Sequence, residues 1–475
     1  MDGKKVKRGD RDIEKDTEKK EEQKLMGRGI RKNRIFWGAL LALGLEAARK
    51  GALAAVLSLI VLRKGLTFSQ LSAAFAVFSA ASFLLEVPSG VLADCAGRKR
   101  VFITAQAVGL GALLLMLEGR SFWAVCTAFF LYGASGAFSS GSMDALYMDS
   151  CIADGTITVE RGAMHLELAE ISGCAGGALL GGVLNYAGGR HSAETASQLV
   201  LTGAVILTAA ALFCALFFTA EAGANKASYK GHAEDEGVRE KAKRKGENHL
   251  AAREETGENR RAFWELLSNG LPILLGSSLF AGFSLALMET YWQPMLAGLL
   301  PGAQDSWIPG VLGFFYYAAS AAGSLAAGKY LKEETAVPAF ALSGLMTGGV
   351  LLLLCRSETV LFFSMFYLLL YFLLGIFSMA QSSAVHRAVS PALRATALSG
   401  GGLAIQIGGF LASCFAGFTA DKIGISGLWL IAGLIFLTGT GSAAALLWHM
   451  QKPHREGQRS KKIQTQKPAD RENMV

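Results

Sequence analysis

Glu46, Arg49 and Lys50 stand near the middle of an otherwise apolar run that begins at Ile35. On a helix Glu46 meets Arg49 at i,i+3 and Lys50 at i,i+4, so all three share one face. Arg49 lies roughly 21 Å along the run at about 1.5 Å per residue. An isolated charge at such depth costs about 2.5–3.5 kcal/mol to insert in a bilayer. One carboxylate neutralises one cation, and the remaining positive charge must face a bundle interior or a watery cavity. Two readings are open: a structural pair with an acid elsewhere, such as Asp144 or Glu289, or charge lining a route for a solute.

Other titratable residues fit the same two readings. Asp144, Asp149, Glu167 and Glu170 fall toward the ends of the fourth and fifth apolar runs, with Asp144 and Glu170 deeper. A carboxylate in low dielectric can take up and release a proton across a conformational change. Glu289 sits two-thirds through the seventh run, with Trp292 and Gln293 one turn away. An aromatic ring beside a buried acid can hold a cation, while Tyr291 and Trp292 equally fit an interfacial aromatic belt. His165 and His386 lie at run ends without ligand-spaced partners, and the seven cysteines are scattered singly. That pattern predicts no metal site, no cofactor and no catalytic residues. No glycine-rich nucleotide loop with its lysine is present, which argues against ATP-driven chemistry.

The elements that must position these residues are legible from composition. The chain has 475 residues, is 52% hydrophobic and 18% charged, and holds 56 glycines against 9 prolines. A soluble protein would carry about 25% charge. Here the charge is segregated into the termini, one central block and short turns. Between them run apolar stretches long enough to span a bilayer as helices. The stretches are Ile35–Leu62, Leu71–Ala93, Val101–Leu117, Phe122–Asp149, Met164–Ala187 and Ser197–Ala220, then Leu271–Leu299, Ile308–Leu331, Ala336–Cys355, Thr359–His386, Ala395–Ala420 and Gly427–His449. The fold class expected is an all-α membrane protein with twelve transmembrane helices in two pseudo-symmetric six-helix halves. Its organisation would be a charged tail (1–34), a first half (35–220), a charged linker (221–262), a second half (263–449) and a basic tail (450–475).

Basic residues then orient the chain. With the N-terminus inside, 38 of the 46 Lys and Arg fall on the cytoplasmic side and six on the outside. Both termini are expected in the cytoplasm, in a multi-pass protein of the cell membrane. The first 34 residues hold 13 Lys or Arg and 8 Asp or Glu with no apolar core, so they are not a secretory signal. The net charge of +8 follows from the basic loops and needs no nucleic-acid partner.

Between the second and third runs lies Gly90-Val91-Leu92-Ala93-Asp94-Cys95-Ala96-Gly97-Arg98-Lys99-Arg100. This stretch resembles the loop hallmark of the major facilitator superfamily, matching it at Gly90, Leu92, Ala93, Asp94, Gly97, Arg98, Lys99 and Arg100. The fifth run carries Gly173, Gly177, Gly181 and Gly182, similar to a glycine-rich motif of drug/proton antiporters, with Ala178 where that pattern has proline. Pieces such as Glu86-Val87-Pro88-Ser89-Gly90 and Tyr291-Trp292-Gln293-Pro294 look like a bacterial drug-efflux branch. Gly323-Ser324-Leu325-Ala326-Ala327 occupies the equivalent place in the second half, with Ala327 where Asp94 stands.

The resemblance implies a major facilitator fold with alternating access between two halves. It implies a transporter rather than an enzyme, with a small-molecule substrate, protons and the lipid bilayer as partners, in a monomer. Proton-coupled efflux of small amphipathic compounds is the function it suggests. Uptake of a small, anionic metabolite by a symporter or facilitator is the alternative, with Arg49 or Lys50 as the binding charge. Glu46, Arg49, Lys50, Asp144, Glu170, Glu289, Trp292 and Gln293 are the expected substrate or proton pathway. Gly90, Asp94, Gly97, Arg98, Lys99, Arg100 and the four glycines of the fifth run are the expected gating elements.

Overall fold

A computed structural model describes residues 37–154, 157–219, 271–302, 305–332, 335–389 and 394–466. The charged tail 1–34 and the linker 221–262 lie outside these residues, as does the end of the basic tail.

Helices occupy the apolar stretches. They are α1 (37–54), α2 (Leu57–Arg63), α3 (Phe68–Ala96), α4 (Arg98–Glu118), α5 (Phe122–Ser139), α6 (Met143–Asp154), α7 (Val159–Gly189) and α8 (Ala193–Phe218). After the linker come α9 (Leu271–Leu299), α10 (Ile308–Tyr330), α11 (Ala336–Leu354), α12 (Val360–Ala388) and α13 (Arg394–Gln466). Among the described residues, ten helices are long and apolar enough to cross a membrane. In lipid only a helix satisfies its own backbone, which is why each apolar run takes this form. Side-chain caps mark several starts. Thr67 and Gln70 form a reciprocal capping box on α3, and Ser121, Thr158, Ser192 and Thr359 each accept from a backbone N–H of the following first turn.

Three departures from unbroken spans matter. The first run is split at residues 55–56, the fourth at 140–142, and α13 breaks at Gly424, where φ is 68°. Glycine permits that left-handed backbone, so an apparently continuous α13 is two helical rods joined by a bend.

Two groups of helices emerge, α1–α8 and α9–α13. Within the first, α1 and α7 approach so closely that no side chain fits between them. A methyl group built on Gly173 would stand 2.5 Å from Gly44 O and one on Gly181 2.5 Å from Ala52 O, while one on Gly177 would collide with Ala48 O. Small residues give helices this proximity in lipid. The second group repeats the device, with Gly282 of α9 against Ile405 of α13 and Gly408 against Leu279. The neighbours repeat too: α3 packs on α5 as α10 packs on α12, and α4 on α5 as α11 on α12.

Successive spans alternate in direction, so the molecule has two ends. The terminal face carries the start of α1, the Gly97 turn and the ends of α8 and α12. The distal face carries the turns at 64–67, 119–121 and 190–192, residues 300–302 and 305–307, and Gly424. The two groups meet along α3 with α13 and α7 with α10. Hydrogen bonds between them, among the described residues, run from the distal face (Ser69 with Asp421, Asn185 Nδ2 to Ser306 O at 2.8 Å) inward to Gln406 Nε2 donating to Glu86 Oε2 at 2.6 Å. Toward the terminal face, apolar side chains of α3, α7 and α10 stand exposed, among them Val87, Val91, Leu168 and Leu325. The described contacts between the groups thus gather toward the distal end.

Candidate functional site

Glu46 is the hub of a buried polar cluster. Arg49 Nη2 lies 3.4 Å and Lys50 Nζ 3.5 Å from its Oε1, so one carboxylate serves both cations. Its Oε2 accepts from Gln106 Nε2 on α4 at 3.0 Å and from Ser139 Oγ at the end of α5 at 2.6 Å. The Arg49 guanidinium is buried and sits 5.0 Å from the centre of the Tyr132 ring. A ring face stabilises a desolvated cation. Arg49 Nε and Nη1 have no hydrogen-bond partner, so this charge rests on one carboxylate and one aromatic face.

Lys50 differs from Arg49 in where it points. Its side chain is 45% exposed and lines a cavity of about 430 Å³ between α1, α5, α6 and α7. Glu46, Asp144, Glu167 and Glu170 line the same cavity. Helical spacing delivers them: Glu46 and Lys50 are one turn apart on α1, as Glu167 and Glu170 are on α7. The break at 140–142, with Gly141 at φ 68°, lets α6 restart so that Asp144 joins the wall. Four of the expected pathway residues therefore share one space, with four carboxylates against one ammonium.

Glu289, Trp292 and Gln293 lie in α9, apart from that cavity. The Tyr371 hydroxyl donates to Glu289 Oε1, and Glu289 itself is exposed. Around it is a packed aromatic cluster: Tyr316 stacks on Tyr371 at 4.3 Å and Trp292 on Tyr367 at 5.0 Å. Trp292 and Tyr367 are fully buried, and their Nε1 and hydroxyl donors have no partner. Tyr291 is buried as well, bonded to Ser72 Oγ and Phe68 O of α3. Both rings of the Tyr291-Trp292 pair thus face protein rather than a lipid interface.

Gln293 spans the break in the first run. Its Nε2 donates to Ala54 O at 2.6 Å and its Oε1 accepts from Ser58 N at 2.8 Å. Interrupting a helix frees a carbonyl and an N–H that lipid cannot satisfy. One amide from the other group satisfies both.

The residues expected to gate divide between the terminal face and two helix seams. Gly97 turns the chain with φ 98°. Arg98 joins Asp149 at the end of the fourth run and reaches Asp94 at 3.9 Å. Lys99 Nζ caps the end of α8, donating to Thr219 O at 2.6 Å and Leu216 O at 3.1 Å. Asp94 has a 76% exposed side chain, and Arg100 and Gly90 are also exposed. Gly182 lies against Gly310 of α10, joining the two groups on the distal side, while Gly173, Gly177 and Gly181 form the α1–α7 seam.

Several contributors were not among the sequence candidates: Gln106, Ser139, Tyr132, Tyr371, Glu86 with Gln406, and Arg63 with Asn185. All but Arg63, which follows the first run directly, are polar or aromatic residues inside an apolar run, and that isolation was the available signal. Among the described residues no cluster of three or more His, Cys, Asp or Glu is arranged to hold a metal.

The described helices are those of a multi-pass membrane protein, and their arrangement is the fold shared by solved transporter structures to which the chain is similar. The chain is similar to the crystal structure of the nucleoside transporter NupG at 14% identity and a TM-score of 0.67, covering 88% of this chain and 99% of that one. It is similar to a POT family transporter in complex with a thioalcohol-conjugated peptide, at 11% identity, a TM-score of 0.61 and coverage of 88% and 96%. A bacterial homolog of the human lysosomal transporter Spinster, in an inward-facing and unoccupied conformation, gives 13% identity, a TM-score of 0.63 and coverage of 88% and 97%. These neighbours are transporters, not enzymes. No protein-family model and no curated protein sequence matches the chain.

Proposed function

We propose that the chain is a secondary active transporter working by alternating access, with twelve spans in two pseudo-symmetric halves of six. The repeated packing of α3 on α5 and α10 on α12 supports the halves. The basic-residue split supports cytoplasmic termini in the cell membrane. On that orientation the terminal face is the cytoplasmic one, and the concentration of contacts between the groups toward the distal end supports reading the chain as open to the cytoplasm. The transport cycle is a rocking of the two groups about their seams, which opens the distal side as the terminal side closes. On this reading the tails 1–34 and 450–475 and the linker 221–262 flank halves at 35–220 and 263–449.

The observation that carries the reading is the cavity holding Glu46, Lys50, Asp144 and Glu170 within the first helix group. Protons are the coupling ion, taken up and released by carboxylates in this cavity and by Glu289. Four carboxylates against one accessible ammonium favour a cationic or neutral amphipathic substrate over an anion. Export of such a compound in exchange for protons is the function we favour. Glu289 with Tyr371 and Tyr316 supplies an acid and ring faces suited to the same cation. When the distal side opens, Asp94 is free to engage the second group across the closing terminal face.

One observation favours uptake by symport instead: Lys50 presents its ammonium to the cavity, where an anionic substrate group would find it. The nucleoside and peptide transporters to which the fold is similar accord with that second reading. Reconstituted vesicles separate the two. Saturable flux of an organic cation opposed to the proton gradient, abolished by Glu289→Gln, supports export. Flux of a carboxylate along the gradient, abolished by Lys50→Gln, supports uptake.

A further inference from the structure

A second polar cavity, of about 370 Å³, opens at the distal face between α2, α4 and α8, away from the transport cavity. Arg63, Lys64, Arg120, Gln198 and Thr202 carry donors in its wall, while Ser197, also in the wall, gives its hydroxyl proton to Ala193 O. Gln198 and Thr202 stand one turn apart on α8, with Ser197 next to Gln198, and all three line this space. Arg120 is paired with Glu194. Arg63 and Lys64 have no carboxylate within 4.0 Å among the described residues, although Glu118 is also in the wall. Arg63 is half-buried and holds only neutral partners through Nη1: Asn185 Oδ1 at 2.8 Å and Ser197 Oγ at 3.5 Å. Lys64 gives its Nζ to Gly119 O at 2.8 Å. Burial and the neighbouring Arg120 guanidinium push the Lys64 ammonium below its ordinary range, against the smaller opposing pull of Glu118 and Glu194, which also stand in the wall.

We propose that this cavity binds a phosphate-type oxyanion, from a lipid headgroup or free in solution, with Arg63 and Lys64 as its charge partners and Gln198 and Thr202 of α8 as hydrogen-bond donors. Guanidinium and ammonium groups bind phosphate by charge-assisted hydrogen bonds, and a planar guanidinium presents more than one donor edge. Arg63 engages its protein partners through Nη1, leaving its other edge for the ligand.

The position of Arg63 gives the site a consequence. Arg63 holds Asn185 of α7, and Asn185 Nδ2 donates to Ser306 O of the second group at 2.8 Å. Arg63 and Asn185 also line a cavity of about 300 Å³ with Ala297, Leu300 and Pro309 at the distal seam. Neutralising Arg63 from the α8 side fixes its orientation toward Asn185 and strengthens the chain that ties α2 through α7 to the second group. The anion therefore favours the distal-closed state. Binding stands on the cavity alone; this consequence rests on the alternating-access reading.

The test uses the full chain, first in lipid-depleted detergent with inorganic phosphate titrated against sodium chloride at equal ionic strength. It is repeated in nanodiscs of phosphatidylcholine with and without phosphatidylglycerol. Thermal midpoint and hydrogen exchange of residues 57–64 and 300–307 are read together. Expected is a saturable rise in midpoint with slower exchange at both segments, lost in Arg63→Gln. Lys64→Gln, which leaves the Asn185 chain intact, weakens the apparent affinity about tenfold. A response to phosphate in detergent identifies a free oxyanion; a response confined to phosphatidylglycerol nanodiscs identifies a headgroup. No response in either medium, or undiminished affinity in Lys64→Gln, overturns the site. A saturable midpoint shift with unchanged exchange at 300–307 overturns its link to the distal seam while leaving the transport reading standing.

Discussion

Gln293 accepts a hydrogen bond from Ser58 N at 2.8 Å, and so a side chain of the second helix group completes the backbone of the first span. The same amide donates to Ala54 O at 2.6 Å. Opening the distal side pulls α9 from α1 and α2 and frees two backbone groups at once. Gln293→Ala removes both bonds, each worth about 0.5–1.5 kcal/mol net, and exposes the desolvated backbone groups at the break. The expected outcome is a shift toward distal-open, read as a longer α2–α9 spin-label distance in the apo protein. An unchanged distance distribution would show that the bridge does not bias the two states.

Glu46 supports a predicted asymmetry between substitutions. Removing it by Glu46→Ala strands the buried Arg49 charge, and breaking a buried pair costs about 3–5 kcal/mol. Glu46→Gln keeps the contacts with Gln106 and Ser139 in altered form and should destabilise less. Pairing Glu46→Ala with Arg49→Met should recover much of the loss. Thermal unfolding in detergent checks all three, and equal midpoints for the Ala single variant and the double variant would contradict the pairing.

The α1–α7 seam makes a local contrast. Gly177→Ala would drive a methyl into Ala48 O, whereas Gly176→Ala meets nothing within 4 Å. Overpacking of this kind costs about 1–3 kcal/mol, and the neighbouring substitution should be close to neutral. Folded yield and thermal midpoint distinguish them. Equal tolerance at both positions would mean that the helices separate more readily than their contact implies.

Asp94 is exposed, and among the described residues its one ion-pair partner is Arg98 at 3.9 Å. Asp94→Asn should therefore leave the thermal midpoint nearly unchanged while slowing transport, because the loss falls on the terminal-closed state. Full-rate transport by the variant would remove Asp94 from gating.

The readability of the chain tracks the range of the interactions involved. The Gly90–Arg100 turn, the apolar runs and the Glu46, Arg49, Lys50 trio depend on neighbours within a helical turn or on bulk hydropathy, and all were visible in sequence. The closing partners of Glu46 were not, because Gln106 and Ser139 lie 60 and 93 residues away. The break at 55–56 was hidden for the same reason. Nothing local in Ala54-Ala55-Val56-Leu57 interrupts a helix; the feature that makes the break tolerable is Gln293, more than 230 residues on. Gln293 was legible as a polar residue of interest, but its satisfied role at the break required the fold.

The central claim is proton-coupled alternating access through Glu46, Asp144, Glu170 and Glu289. Its most direct measurement is flux of an amphipathic cation in proteoliposomes with and without an imposed pH gradient, comparing the native chain with Glu289→Gln. The account predicts saturable flux that the gradient accelerates in the native chain, and loss of that acceleration in the variant. Gradient-driven flux at the native rate in Glu289→Gln, repeated in Glu46→Gln, Asp144→Asn and Glu170→Gln, would contradict it.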